Sequence, residues 1–77
     1  MLHIDADPRA DAIYVQLRDE LIGYTEELDV NRLIDRTLEG EPVGIDLSSV
    51  SQGVKLEGLP GAEDIRKMLE GLGIDVL

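Results

Sequence analysis

Three carboxylates near the start of the chain, Asp5, Asp7 and Asp11, have the type and closeness that could hold a metal ion. A hard divalent cation needs several oxygen ligands converging on one point. Counted as a calcium loop from Asp5, the fifth position is Arg9, the sixth is Ala10 rather than Gly, and the twelfth is Gln16 rather than Glu. Asp5-Ala6-Asp7 also has the Asp-x-Asp form of a phosphotransferase, but the Thr that should follow is absent. The favoured reading is therefore structural: Asp7 and Asp11 cap a turn before a strand, their oxygens accepting from nearby N–H groups. A small metal-binding or hydrolytic domain built on Asp5, Asp7 and Asp11 is the alternative.

The other reactive side chains are sparser. His3 is the single histidine, so a metal would need carboxylates to complete its shell, and nucleophilic catalysis would need an oriented base. Its place opposite the Leu2/Ile4 face of a strand predicts an exposed imidazole. Ser48, Ser49 and Ser51 have no Gly-x-Ser-x-Gly elbow around them, and read as a polar turn. Gly53, Gly58 and Gly61 are spaced too widely to cradle a phosphate and read as turn and helix-boundary glycines. Glu26 and Glu27 are adjacent, so on a strand they point to opposite faces and cannot pair as acid and base. No catalytic residue and no cofactor is predicted. Tyr14 and Tyr24, the only aromatics, are expected on opposite faces, one joining the core and one outside where it suits a protein contact.

The elements that must position these groups follow from a hydrophobic period that changes from two to about 3.6 near Pro60. Leu2 and Ile4 alternate with His3 and Asp5, and Asp7-Pro8 then breaks the strand as a turn. From Ala12 to Arg18, Ile13, Val15 and Leu17 occupy one face. Ile22 to Leu28 is expected to return antiparallel to this strand through Asp19-Glu20, placing Leu17 opposite Ile22 and Val15 opposite Tyr24. That loop lacks the Gly or Asn a tight hairpin prefers. A second hairpin around Glu39-Gly40-Glu41-Pro42 puts Ile34 and Leu38 on the face of Val43, Ile45 and Leu47. Arg36 falls on that face too and needs a carboxylate, with Glu26 as the candidate. Val54 and Leu56 make a short extended segment. Beyond Pro60-Gly61, Glu63 and Asp64 suit a helix's first turn, and Ile65, Met68, Leu69 and Leu72 form one apolar stripe. Gly73 is placed for a left-handed stop, with Ile74 folding back on Leu69. Ile74, Val76 and Leu77 make an apolar tail that either finishes the core or meets another chain.

The stretch Asp7-Pro8-Arg9-Ala10-Asp11-Ala12-Ile13-Tyr14-Val15-Gln16-Leu17 resembles the opening of a family of small bacterial domains of unknown function, number 2283 in its series. The likeness continues through Thr25-Glu26-Glu27-Leu28, Asp35, Gly40 and Val43-Gly44-Ile45, and Val50 to Pro60 resembles the extension of longer members. Arg36 departs from the family's apolar residue, and Asp19-Glu20 from its Gly-containing turn. The resemblance implies a compact, mainly antiparallel β domain with no catalytic residues to carry over, and relatives among toxin–antitoxin-like pairs.

Composition bounds the function classes. At 77 residues and 8.5 kDa one domain is expected over residues 1–77, with a β-rich part at 1–57 and a helix at 61–73. A net charge of −10 excludes a general phosphate-backbone binder, because such affinity comes from Lys and Arg displacing counterions. Without cysteine there is no disulfide framework, so the core holds unaided. No apolar run approaches a membrane span or a leader peptide, which leaves a cytoplasmic domain as the expectation. The expected fold is α+β: an antiparallel sheet of about four strands with one C-terminal helix packed on it. The expected function is a non-enzymatic protein-interaction module, antitoxin-like, with an acidic surface. Its partner would be a second copy in a homodimer or a small basic protein, with no direct nucleic-acid or membrane contact and with Tyr14, Tyr24, Val76 and Leu77 as candidate contact residues.

Overall fold

Alternation along Ala12–Gln16 turns Ile13 and Val15 to one side, and both are buried there. The same pattern recurs in a computed structural model that describes residues 3–77. Its strands are β1 (His3–Asp7), β2 (Ala12–Gln16), β3 (Tyr24–Asp29), β4 (Arg32–Arg36) and β5 (Pro42–Ser48). All neighbours are antiparallel, in the order β1-β2-β5-β4-β3. A 3-10 turn at Val50–Gln52 and one helix, α1 (Ala62–Gly71), complete an α+β fold. The sheet has five strands rather than about four. Leu2, half of the expected Leu2/Ile4 face, lies outside the described residues.

The largest departure from expectation is the partner of β2. It pairs with β1 on one side and β5 on the other, so β3 does not return against it. Instead residues 17–23 cross the end of the β4–β5 hairpin, and β3 enters at the far edge. Leu17 and Arg18 N–H groups donate to the Val43 carbonyl, and Gly23 N–H donates to that of Arg36. The physical reason is chemical as well as geometric. Asp19-Glu20 lacks the Gly or Asn that a two-residue hairpin turn favours, whereas Asp29 Oδ1 accepts the Asn31 N–H at 2.9 Å and closes a tight β3–β4 turn. Leu17–Ile22 and Val15–Tyr24 are therefore not cross-strand pairs.

Two side-chain rows span the core-facing side. One runs Ile4, Val15, Ile45, Ile34, Glu26; the other runs Ala6, Ile13, Leu47, Arg32, Asp29. Their apolar centre joins Val50, Val54, Leu56 and Leu59 from the connection and Ile65 and Leu69 from α1 in one core. Burying such side chains stabilises the fold by roughly 1.5–3 kcal/mol each relative to leaving them exposed. Leu38 was expected on this face but is 79% exposed, because a bulge at Asp35/Arg36 shifts the register and β4 ends at Arg36.

α1 begins after Gly61 with Glu63 and Asp64 in its first turn, and buries Ile65 and Leu69. Met68 packs at the core margin, while Leu72, the last residue of the expected stripe, is half exposed. The helix stops in a Schellman motif: Ile74 N–H donates to Leu69 O at 2.9 Å and Gly73 N–H to Glu70 O at 3.1 Å, with Gly73 at φ +77°. The tail then pairs parallel with the Val54 segment, through Val54 N–H to Asp75 O and Leu77 N–H to Val54 O, both 2.9 Å. Ile74 and Val76 thus finish the core. Among the described residues no helix is long and apolar enough to cross a membrane.

Candidate functional site

The early carboxylates serve separate partners. Asp5 and Asp7 both point from β1 to the outer face of the sheet, and Asp7 Oδ1 accepts the N–H groups of Arg9 (3.1 Å) and Ala10 (3.3 Å), which folds the β1–β2 turn. Asp11 adopts a left-handed conformation in that turn. Its carboxylate accepts the Ser51 N–H (3.0 Å) and hydroxyl (2.7 Å), fastening the turn to the 3-10 segment. Among the described residues no three His, Asp or Glu side chains are grouped to hold one metal ion. Ser48 donates to Asn31 Oδ1 at 3.3 Å, and Ser49 is left-handed at the start of the 3-10 turn. His3 is exposed on the outer face at the sheet edge.

Glu26 and Glu27 point to opposite faces as expected, and Glu26 meets Arg36 at 2.9 Å. That ion pair belongs to the β3–β4 hairpin. The guanidinium also donates to the Gly40 carbonyl at 2.8 Å, so the cation at the core margin has both a carboxylate and a carbonyl partner. Arg32 has a comparable role that alternation alone did not single out. Its side chain, only 12% exposed, pairs with Asp29 at 2.9 Å and donates to the carbonyls of Lys55 and Glu57. The Asn31 N–H, followed by Arg32, holds the Asp29 carboxyl below the usual carboxylate range. The cleft bordered by Asp29, Asn31, Arg32 and Lys55, with Ser48, Gln52 and Leu77, is walled on one side by groups already paired to one another, Arg32 with Asp29 and Ser48 with Asn31.

On the outer face two rows cross all five strands. They are Asp5-Tyr14-Asp46-Leu33-Glu27 and His3-Gln16-Gly44-Asp35-Thr25. Tyr14 leans from the first row over Gly44, where its ring fills the space a Cβ would need. Its hydroxyl donates to Asp35 Oδ2 at 2.7 Å, and Thr25 Oγ1 donates to the other oxygen at 2.6 Å. Partial burial, then the bond to Asp35, then the charges of Asp35 and Asp46 push the phenol up to about 12. Neither tyrosine joins the core. Tyr14 is committed to this network and Tyr24 sits half-exposed at the β3 edge. Of the tail residues, Val76 is taken up by Val54 and Leu77 stays exposed.

The surface that stands out is at the end where residues 17–23 cross the hairpin. Leu21 (91% exposed), Leu38 (79%) and Ile22 (54%) gather there, bordered by Glu20 and Glu39. Glu41 adjoins this border through Arg18, which reaches Glu20 at 3.0 Å and Glu41 at 3.4 Å. By alternation Ile22 and Leu38 fall on strands, and Leu21 does not stand out. The adjacent pair Leu21-Ile22 was the available signal, since two consecutive residues cannot both face inward from one strand. Compared with family models, curated proteins and solved structures, the chain matches none of them.

Proposed function

We propose that this protein is a non-enzymatic protein-interaction module, antitoxin-like, that binds a small basic protein. The observation that carries this reading is the cluster of Leu21, Ile22 and Leu38, exposed together beside Glu20 and Glu39. Large aliphatic side chains gathered outside the core and rimmed by polar groups are the mark of a contact surface. An apolar centre supplies binding energy, and the acidic rim selects a partner with Lys or Arg around an apolar patch. The charge of −10 adds long-range attraction that speeds the encounter and fades as salt rises. The carboxylates of Asp7, Asp11, Asp29 and Asp35 are each engaged in hydrogen bonds that hold turns and strands, a structural use that favours binding over chemistry as the role.

The test is affinity purification of the full chain from its own host, beside a Leu21→Glu/Leu38→Glu variant. The expected result is a basic protein retained in stoichiometric amount by the parent, released by raised salt and lost with the variant. Absence of any stoichiometric protein, or equal retention by the variant, would refute the reading.

A further inference from the structure

The two edges of the sheet are built differently. A bulge between Glu27 and Asp29 breaks the ladder of β3, a device that discourages another strand from adding. β1 keeps a regular ladder with no bulge, its carboxylates Asp5 and Asp7 stand on the outer face, and all five of its residues are exposed. Its core-side residues are apolar yet uncovered. In the row Ile4-Val15-Ile45-Ile34, the last three are fully buried while Ile4 remains 36% exposed. Next to it, Ala6 borders an apolar groove with Ile13, Val50, Leu72 and Ile74.

We infer that β1 is a homodimer edge, and that a second copy of this chain pairs with it antiparallel about a two-fold axis at Ile4. A strand edge with unpaired backbone groups accepts another strand, and a two-fold axis makes each contact occur twice. With the axis at Ile4, this side chain meets the partner's Ile4 on the core side and extends the apolar row across the seam. On the outer face His3 then stands opposite the partner's Asp5, and Asp5 opposite the partner's His3. An imidazole N–H facing a carboxylate is a complementary pair, present twice. A register moved by one residue turns the apolar face outward. Moving the axis to Asp5 sets this carboxylate against the partner's Asp5, and like charges directly opposite are unfavourable. Charge in β1 therefore favours the Ile4-centred register over the Asp5-centred one. This surface is separate from the Leu21/Ile22/Leu38 cluster, so loss of the dimer and loss of a basic partner are distinguishable.

Sedimentation equilibrium of the full chain up to about 100 μM, a range that detects weak dimers, tests the proposal. The expected parent mass is twice the 8.5 kDa of one chain. Ile4→Lys, which sets two ammonium groups face to face, raises the dimer dissociation constant roughly tenfold or more. Asp5→Asn raises it about threefold, and Leu21→Lys leaves it unchanged. A single-chain mass at every concentration overturns the proposal, as does a folded Ile4→Lys chain that still dimerises like the parent. Should Ile4→Lys fail to fold by circular dichroism, Asp5→Asn decides. Tighter association there, or none of the expected weakening, sinks the Ile4-centred register.

Discussion

Tyr14 reaches Asp35 only because residue 44 has no side chain. The phenol crosses β5 above Gly44, and an added Cβ there would collide with its hydroxyl and ring. Gly44 is thus a glycine for close approach and not for backbone freedom. Two substitutions should remove the same contact. Tyr14→Phe deletes the donor and is expected to cost about 1–2 kcal/mol, the range for a bond to a charged acceptor in a half-exposed site. Gly44→Ala displaces the ring and should cost a similar amount. Because both act on one interaction, the double variant should fall well short of the sum when measured by urea unfolding. Titration gives a second readout. The folded state holds the Tyr14 proton more tightly than the unfolded chain, since its phenol is raised from 10.0 to about 12. The associated stability is complete below pH 10 and is lost as pH rises through 12. In Tyr14→Phe that part of the alkaline decline disappears; a variant with an unchanged profile between pH 10 and 12 would contradict the assignment.

At the scale of elements, the end of α1 offers two glycines with opposite roles. Gly73 has φ +77° and makes the Schellman stop, while Gly71 is helical with open space where its Cβ would stand. Gly73→Ala should destabilise by about 1 kcal/mol, and Gly71→Ala should stabilise by about 0.5 kcal/mol, both read from thermal melts. In the β3–β4 hairpin, Arg36→Leu strips partners from Glu26 and the Gly40 carbonyl and should lower stability by about 1 kcal/mol in urea unfolding. An unchanged or more stable variant would show that the ion pair contributes nothing net. These local devices were legible in the sequence because each is written in a few neighbouring residues: the stripe of Ile65, Met68 and Leu69, then Gly73 and Ile74. The alternation of Ile13 with Val15, and of Ile45 with Leu47, likewise marked the core face. The order of the strands was not legible. Alternation says which face a strand buries but not which neighbour it takes, so β2 and β3 looked like a hairpin until the competing partner β5 was visible. The apolar cluster stayed hidden for the same reason. Ile22 and Leu38 would fit a strand face, and it is the crossing of residues 17–23 that leaves Ile22 outside and the bulge at Asp35/Arg36 that leaves Leu38 there.

For the whole molecule, folding segregates charge. The two rows that cross the outer face carry Asp5, Asp46, Glu27 and Asp35 and no Lys or Arg. The seven basic residues lie elsewhere. Arg9 is in the β1–β2 turn, Arg18 beyond β2, Arg32 and Arg36 on the core-facing side, Lys55 after the 3-10 turn, and Arg66 and Lys67 on α1. The folded chain therefore brings like charges onto one sheet face that the extended chain keeps apart, and this repulsion works against the hydrophobic seam. Asp46 is the most interior of these carboxylates, in the same row as Asp5 and beside Tyr14. Screening should relieve the repulsion, since the Debye length shrinks from about 30 Å at 0.01 M to about 8 Å at 0.15 M ionic strength. Calorimetry is expected to show the melting temperature rising by several degrees across that range, on the scale of about 4–8 °C per kcal/mol for a domain of this size. Asp46→Asn should raise the low-salt melting temperature and flatten its salt dependence, because it removes the central member of the row. A parent protein whose melting temperature falls with salt would mean that attractive pairs such as Arg36–Glu26 and Arg32–Asp29 outweigh the acidic face, and the sheet would then gain more from its ion pairs than it loses to its own charge.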